Sequence, residues 1–542
     1  MNALNTKLKQ YFNFSDFRPG QEEIVQAIVD GQDVVALMPT GGGKSLCYQL
    51  PALATQKVTL VISPLIALMK DQVDSLKARG LNAVLINSSI SLDEVKSAVK
   101  EIESGKTHII YMAPEGLKNK YLNDLFAKIT LDIVAVDEAH CVSEWGHDFR
   151  PHYRLIKDFI ASLKTRPSVT AFTATATPEV RDDIIKNLGL IKPQVFVRGF
   201  DRPNLKFFVR SDLKKKAREH EILRLVKSMN GSGIVYALSR KETEKISDFL
   251  NAENIRAVAY HAGLLPEERK KVQEKFMENR FKVIVATIAF GMGVDKADIR
   301  FVIHSGMPSS MEGYYQEAGR AGRDGEISYC VLLHSRADVG LRHFFIRKSK
   351  EEMTKQGKNI AEINRIANTQ YEKLEAISNY VESKICRRQT ILSYFADPDV
   401  SRIRENNGCN NCDICLNYKW EEVTENVKEN KKSLSVFQSL SNTVMETVNM
   451  YKEGKTIEQI SKIRSLGVTT IFQHLTRWYV EDDGALPVEE FVTPEQEKQI
   501  LQAMSEAEDY TKLSPIKVKL PDDISYEQIR LVMAKIQKVK LW

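Results

Sequence analysis

The chain has 542 residues, 43% apolar and 27% charged. That is the composition of an ordinary globular protein, with room for roughly three to four domains, and it excludes a disordered or low-complexity chain. The 77 basic and 71 acidic residues leave a net charge of +6, which permits an anionic partner without requiring one. The longest apolar run, 58–69, is broken by Thr59, Ser63 and Pro64 and is too short to span a bilayer. The first fourteen residues lack the apolar core of a secretory signal. A cytoplasmic protein without a membrane partner is expected, nucleoid-associated if bacterial.

From about Asp33 to Thr177, short β-branched runs alternate with longer amphipathic stretches: VVALM (34–38), VTLVIS (58–63), HIIYM (108–112), DIVAVDE (132–138) and SVTAFTAT (168–175). Buried strands joined by helical crossovers give this rhythm, so an α/β fold with a parallel sheet is predicted. The rhythm restarts with GIVYA (233–237), AVAYH (257–261), KVIVAT (282–287), FVIH (301–304) and YCVLL (329–333). The polar, Pro-containing stretch Gly199–Asn204 separates the two sets, giving lobes over 1–203 and 204–344. Charged helices and a cysteine-rich segment fill 345–420. A nearly all-polar stretch, 421–433, is predicted to be a linker, and 434–542 a mainly helical domain.

The first strand runs into Pro39-Thr40-Gly41-Gly42-Gly43-Lys44-Ser45 and then an apolar helix. Glycines let backbone N–H groups curl around phosphate oxygens, and a helix N-terminus adds partial positive charge. Lys44 would reach the β- and γ-phosphates, and Ser45 would ligand Mg²⁺. Met38 stands where the strict pattern has its first Gly. Asp137-Glu138-Ala139-His140 closes the strand DIVAV at the carboxyl edge of the sheet, beside that loop. Asp137 would hold Mg²⁺ through water, and Glu138 would orient or deprotonate the attacking water. In the second lobe, Gln316-Glu317-Ala318-Gly319-Arg320-Ala321-Gly322-Arg323 sets two arginines three apart, on one helical face if helical. Their planar forks suit a γ-phosphate developing charge, so ATP would bridge the lobes.

After the acidic strand end comes His140-Cys141-Val142-Ser143-Glu144-Trp145-Gly146-His147-Asp148-Phe149-Arg150-Pro151. A Trp, two His, a Phe and an Arg beside an ATP site would make a stacking surface for unpaired bases. A packed loop with core aromatics is the plainer alternative.

Together these elements resemble a superfamily 2 helicase, and the intervening residues resemble the RecQ family of DNA helicases from about Leu8 to Leu333 and again at the cysteines. The resemblance implies two RecA-like lobes. It also implies an adenine-recognition motif at Phe17-Arg18-Pro19-Gly20-Gln21, in which Gln21 reads the adenine edge and Arg18 packs on the base with Phe14. Asn13 replaces a commonly found Gly. Ser63–Gln72 and Tyr111–Glu115 are similar to motifs that contact the DNA backbone, and Thr173-Ala174-Thr175-Ala176 to the motif coupling hydrolysis to DNA movement. Tyr236–Arg240 and Ala286–Asp295 fill the later motifs. Beyond ATP and Mg²⁺, the family likeness implies single-stranded and partly duplex DNA as substrate, 3′ to 5′ translocation, roles in repair and recombination, and a single-stranded-DNA-binding protein as a partner.

Seven cysteines in a large chain argue against a disulfide framework. Cys386 is followed, after twenty-two intervening residues, by Cys409, Cys412 and Cys415 at C-x-x-C-x-x-C spacing. Four thiolates suit one tetrahedral Zn²⁺, and an iron–sulfur cluster uses similar spacings. The family likeness favours zinc.

Two other functions compete: an RNA helicase of related architecture, and a DNA-binding regulator with a vestigial ATPase. Too few residues separate Cys415 from the next helical segment for the winged helix common in this family. Instead Lys455–Ser461, Leu466-Gly467-Val468 and Thr469–Leu475 resemble a helix-turn-helix with a Thr-capped second helix. That helix would enter a major groove, or the module only packs.

Overall fold

The computed structural model describes residues 3–39, 41–86, 92–146, 148–197, 200–213, 215–291, 296–420, 442–464, 466–481, 486–506, 513–521 and 523–540. The 421–433 linker, Thr40 and His147 lie outside them. The chain divides into two compact units, Met1–Val427 and Lys428–Trp542.

In the first unit the apolar runs are strands. Lobe 1 contains β1 (Val34–Leu37), β2 (Thr59–Ile62), β3 (Ala83–Ile86), β4 (Ile109–Met112), β5 (Ile133–Val136), β6 (Ser168–Thr173) and β7 (Gln194–Val197). Their order is β3-β4-β2-β5-β6-β1-β7, and every pairing is parallel. β1, β2, β4 and β5 are buried along their whole length, because helices cover both faces. β1 lies between β6 and the edge strand β7, so the loop after it opens at the carboxyl edge, one strand away from the end of β5.

Lobe 2 repeats the design with β8 (Leu205–Arg210), β9 (Ser232–Tyr236), β10 (Ala257–Tyr260), β11 (Val283–Ala286), β12 (Ile299–His304) and β13 (Ser328–Leu333), ordered β10-β11-β9-β12-β13-β8, again all parallel. The helix Arg336–Lys355 begins directly after β13 and runs through the expected 344/345 boundary. The helical subdomain therefore starts at Arg336, capped by Ser335 and Asp338. It continues with the helix Ile360–Glu382 and reaches the cysteines. There Asp413 accepts from Arg387 Nε at 3.0 Å and from the Val209 amide at 3.0 Å, which docks the cysteine knuckle on β8.

The second unit has its own core, with Val444, Ile460, Ile471, Leu475, Trp478, Ile500 and Ile529 buried. All its described regular elements are helical. The helix Val468–Glu481 packs on Asn442–Lys452 and on Tyr526–Lys540. Thr469 does not cap it: the helix starts one residue earlier, and the Thr469 hydroxyl donates to Glu527 Oε1 at 2.7 Å. No helix among the described residues is long and apolar enough to cross a membrane.

Candidate functional site

A cleft of about 530 Å³ is lined by both lobes of the first unit: Phe14, Arg18, Gln21, Gly41, Gly43, Lys44, Ser45, Asp137 and Glu138 from lobe 1, and Gln316, Arg320 and Arg323 from lobe 2. Gly43 has φ +80°, in the left-handed region, and a Cβ there would lie 2.3 Å from Gln21 Nε2. The left-handed backbone favours glycine there, and any side chain would displace the Gln21 amide. The helix Lys44–Thr55 begins at the next residue, so its first amides face the cleft. Gln21 Nε2 donates to the Gly42 carbonyl at 3.0 Å, Gln21 Oε1 accepts from the Arg18 amide at 2.9 Å, and Arg18 donates to the Gly41 carbonyl. Asn13 has φ +61°, so its position is one that favours Gly and tolerates Asn.

Met38 and Pro39 are not brought to the cleft. The Met38 side chain is buried and touches Cys47 Sγ at 3.9 Å, beneath the loop. Apolar packing serves there because the backbone, held by Met38 N–H to the Thr173 carbonyl at 3.0 Å, fixes the loop without a glycine.

Lys44 Nζ lies 3.9 Å from Glu138 Oε1. Asp137 is 4% exposed. Burial, then the neighbouring Glu138 carboxylate, push its carboxyl up to about 7, with Lys44 opposing. Glu138 itself has φ +47°, a strained conformation for a non-glycine residue, and it turns the chain sharply out of β5. The buried Asp137 and the partly buried Glu138 line the same cleft as Ser45, a hard-oxygen donor set that suits Mg²⁺.

Arg320 and Arg323 do not share a helical face. The helix Met311–Ala318 ends before them, and both sit in the turns that follow, where Gly322 has φ +55°. The turns are braced by Arg202, which donates to the carbonyls of Gly319 at 2.7 Å, Ala321 at 2.9 Å and Gly322 at 2.6 Å, and by Asn204 Nδ2 to Gly322 at 2.8 Å. The sequence placed Arg202 and Asn204 only in an inter-lobe connection. Their polar character was the signal. The Arg323 side chain packs against Gly41, so lobe 2 touches the phosphate loop directly. Asp16, Leu65, Leu68, Gly291 and Ala297 also line the cleft and were not anticipated.

The aromatic segment is less open than its composition suggests. His140 is 2% exposed, with Nδ1 2.8 Å from Thr173 Oγ1 and 3.3 Å from Glu138 Oε2. It is therefore enclosed between the acidic strand end and the 173–176 motif and offers no stacking face. Thr175 is buried too, and its amide donates to Thr173 Oγ1 at 3.2 Å. Trp145 is 36% exposed. Phe149 carries the Arg154 guanidinium over its ring at 5.1 Å, and Arg150 pairs with Asp148 at 3.0 Å.

The Sγ atoms of Cys386, Cys409, Cys412 and Cys415 all lie within 4.8 Å of one another. Four thiolates at 2.3 Å from one tetrahedral zinc stand about 3.8 Å apart. Ligands of an iron–sulfur cluster are divided among two or four irons, so those on different irons stand farther apart. The set thus fits a single ion, and zinc over a cluster.

Comparison with known proteins matches the DEAD/DEAH box helicase family over residues 18–184, the helicase conserved C-terminal domain over 215–325, the RecQ zinc-binding family over 336–416 and a helix-turn-helix domain over 443–533. The chain is 42% identical over 417 residues to the ATP-dependent DNA helicase RecQ of Bacillus subtilis, covering 77% of this chain and 67% of that protein. It is 40% identical over 410 residues to the RecQ helicase of Haemophilus influenzae, covering 76% and 63%. The chain thus spans about two thirds of the length of these relatives. Among solved structures, the Mycobacterium smegmatis helicase Lhr bound to single-stranded DNA and AMP-PNP superposes with a TM-score of 0.51 at 19% identity, over 74% of this chain and 62% of that one. At that identity it is a likeness of fold.

Proposed function

The chain belongs to the RecQ family of ATP-dependent DNA helicases, and we propose that it hydrolyses ATP to move 3′ to 5′ along one DNA strand and part a duplex during repair and recombination. The observation that carries this is the inter-lobe cleft, where Lys44 and Glu138 of one lobe face Gln316, Arg320 and Arg323 of the other. A triphosphate in that cleft touches both lobes, so its hydrolysis changes how strongly they are held together.

In this reading the Pro39–Ser45 loop, with Thr40 among its members, cradles the phosphates, and Lys44 neutralises the β- and γ-oxygens. Phe14, Arg18 and Gln21 hold the base. Asp137 and Ser45 hold Mg²⁺, which when bound neutralises charge on the phosphates. Glu138 takes a proton from, or orients, the attacking water. Arg320 and Arg323 stabilise the charge developing on the γ-phosphate. His140 and Thr173, with Thr175, transmit the state of the acidic strand end to the DNA-facing loops. Trp145, His147, Phe149 and Arg150 contact unpaired bases and their backbone. Zinc on the four cysteines supplies folding energy to the knuckle docked on β8. A single-stranded-DNA-binding protein is the partner that such a motor meets on the strand it exposes.

The test is ATP turnover with single-stranded DNA, with single-stranded RNA and with neither. Strong stimulation by DNA alone supports the reading, stimulation by RNA alone favours the RNA helicase, and no turnover favours the vestigial regulator.

A further inference from the structure

Glu144, the acidic residue beside Trp145, is bracketed by two arginines from different parts of the fold. Its Oε1 accepts from Arg154 of lobe 1, and its Oε2 from Arg365 on the helix Ile360–Glu382 of the zinc-binding subdomain. Both guanidinium side chains are about half exposed, whereas the carboxylate between them is 15% exposed. The neighbouring Gly146 carbonyl accepts from Lys373 Nζ, one helix face along, at 2.7 Å. A cavity of about 460 Å³ opens between this loop and the helix, with Glu144, Phe149, Arg342 and Lys373 among its walls.

A carboxylate held by two arginine forks is the arrangement in which an arginine pair holds a phosphate. Because both guanidinium groups are half exposed, water screens the pairs, so a competing anion exchanges with the carboxylate. The same Arg154 lies over the Phe149 ring, so the contact that holds Glu144 also covers an aromatic face. One displacement would free both a phosphate seat and a stacking surface.

We propose that Arg365 and Arg154 form a phosphate seat for the DNA strand, with the Glu144 carboxylate occupying it until the strand arrives. This makes the zinc-binding subdomain part of the strand-binding surface, and it rests on the DNA-motor reading above. Gly146 shows how the seat reaches the motor. A Cβ there would lie 2.3 Å from the His140 carbonyl, and that same His140 holds Thr173. The loop is thus packed closely on the backbone of the residue that joins the acidic strand end to the 173–176 motif.

The experiment titrates the full chain with a single-stranded deoxythymidine oligonucleotide and reads the DNA concentration that half-maximally stimulates ATP turnover. Glu144→Gln should lower that concentration about threefold, the size expected of one half-exposed ion pair. Arg365→Gln should raise it by a similar factor and reduce the slope of log affinity against log salt by about 0.7, the contribution of one single-strand phosphate contact. Opposite shifts from the two partners of one ion pair are not produced by damage to the fold. Glu375→Gln, the same charge change at an exposed position of the same helix outside the cavity lining, should leave the value unchanged. The proposal is overturned if Glu144→Gln and Arg365→Gln shift the value in the same direction, if Glu144→Gln has no effect, or if Glu375→Gln matches it. Wild-type turnover that DNA does not stimulate strikes the motor reading instead.

Discussion

The His140 imidazole and the Thr173 hydroxyl, thirty-three residues apart, meet at 2.8 Å in the core of lobe 1. His140 follows the acidic strand end that lines the inter-lobe cleft, and Thr173 ends β6, where its carbonyl also holds Met38 at the base of the glycine-rich loop. The bond therefore joins two strand ends that flank the nucleotide cleft. Replacing Thr173 with Val keeps the shape but leaves a buried imidazole nitrogen without this partner, a loss of about 1–3 kcal/mol. Strand displacement per ATP consumed should fall by about tenfold or more while ATP turnover with DNA persists, since the phosphate and acidic groups are untouched. Equal loss of both activities would show a general loss of structure.

Gly43→Ala places a Cβ in a left-handed conformation 2.3 Å from the Gln21 amide nitrogen. The strain is of order 1–3 kcal/mol, borne by the loop that would curl around phosphate. Nucleotide binding should weaken by at least tenfold in a titration with a fluorescent ATP analogue, with only a small change in melting temperature. Lys44→Ala should abolish hydrolysis through loss of charge and leave DNA binding in place. Unchanged nucleotide affinity in the first variant, or turnover in the second, would remove the phosphate-loop assignment.

Trp145→Ala should leave DNA-free turnover near normal and weaken stimulation by single-stranded DNA. Base stacking on an aromatic face is worth about 1–3 kcal/mol, and the Trp145 ring is partly exposed. Undiminished stimulation would return this loop to a packing role.

Much of this site was legible because phosphate chemistry constrains residue type at fixed spacing. Lys44, Ser45, Asp137 and Glu138 are brought to one cleft, and the alternating apolar runs are strands in the expected places. The departures have physical causes. β7 is not legible because QVFV has exposed Gln194 and Val195 at the sheet edge; β3, with three of its four residues buried, is as apolar as its neighbours and is a strand the sequence reading lacks. β8 carries Lys206 and Arg210 within an otherwise apolar strand, which masked it. The arginine pair was set on a helix because periodicity takes no account of Gly319 and Gly322, which end it. His140 looked like a surface aromatic in the sequence. Only the fold shows Thr173 waiting beneath it.

Cys412→Ser removes one of four thiols that converge within 4.8 Å. Because the adjacent Asp413 docks the knuckle on β8, thermal stability should drop more than turnover measured below the transition. Metal analysis of the wild-type chain should find about one zinc per chain, as four thiolates close one tetrahedral site. Iron, or no metal, would contradict the assignment.

Ending the chain within 421–433 removes the second compact unit, whose core is its own. DNA-stimulated ATP turnover should survive, and unwinding should fall only partly. Loss of all turnover would make this helical unit integral to the motor.

The central claim is that ATP in the inter-lobe cleft drives movement along DNA. It is tested most directly by displacing a labelled strand from a duplex with either a 3′ or a 5′ single-stranded tail, with and without ATP. The account expects displacement from the 3′-tailed duplex alone, dependent on ATP and absent in Lys44→Ala. Displacement without ATP, or none from either duplex by a chain that hydrolyses ATP normally, would contradict it.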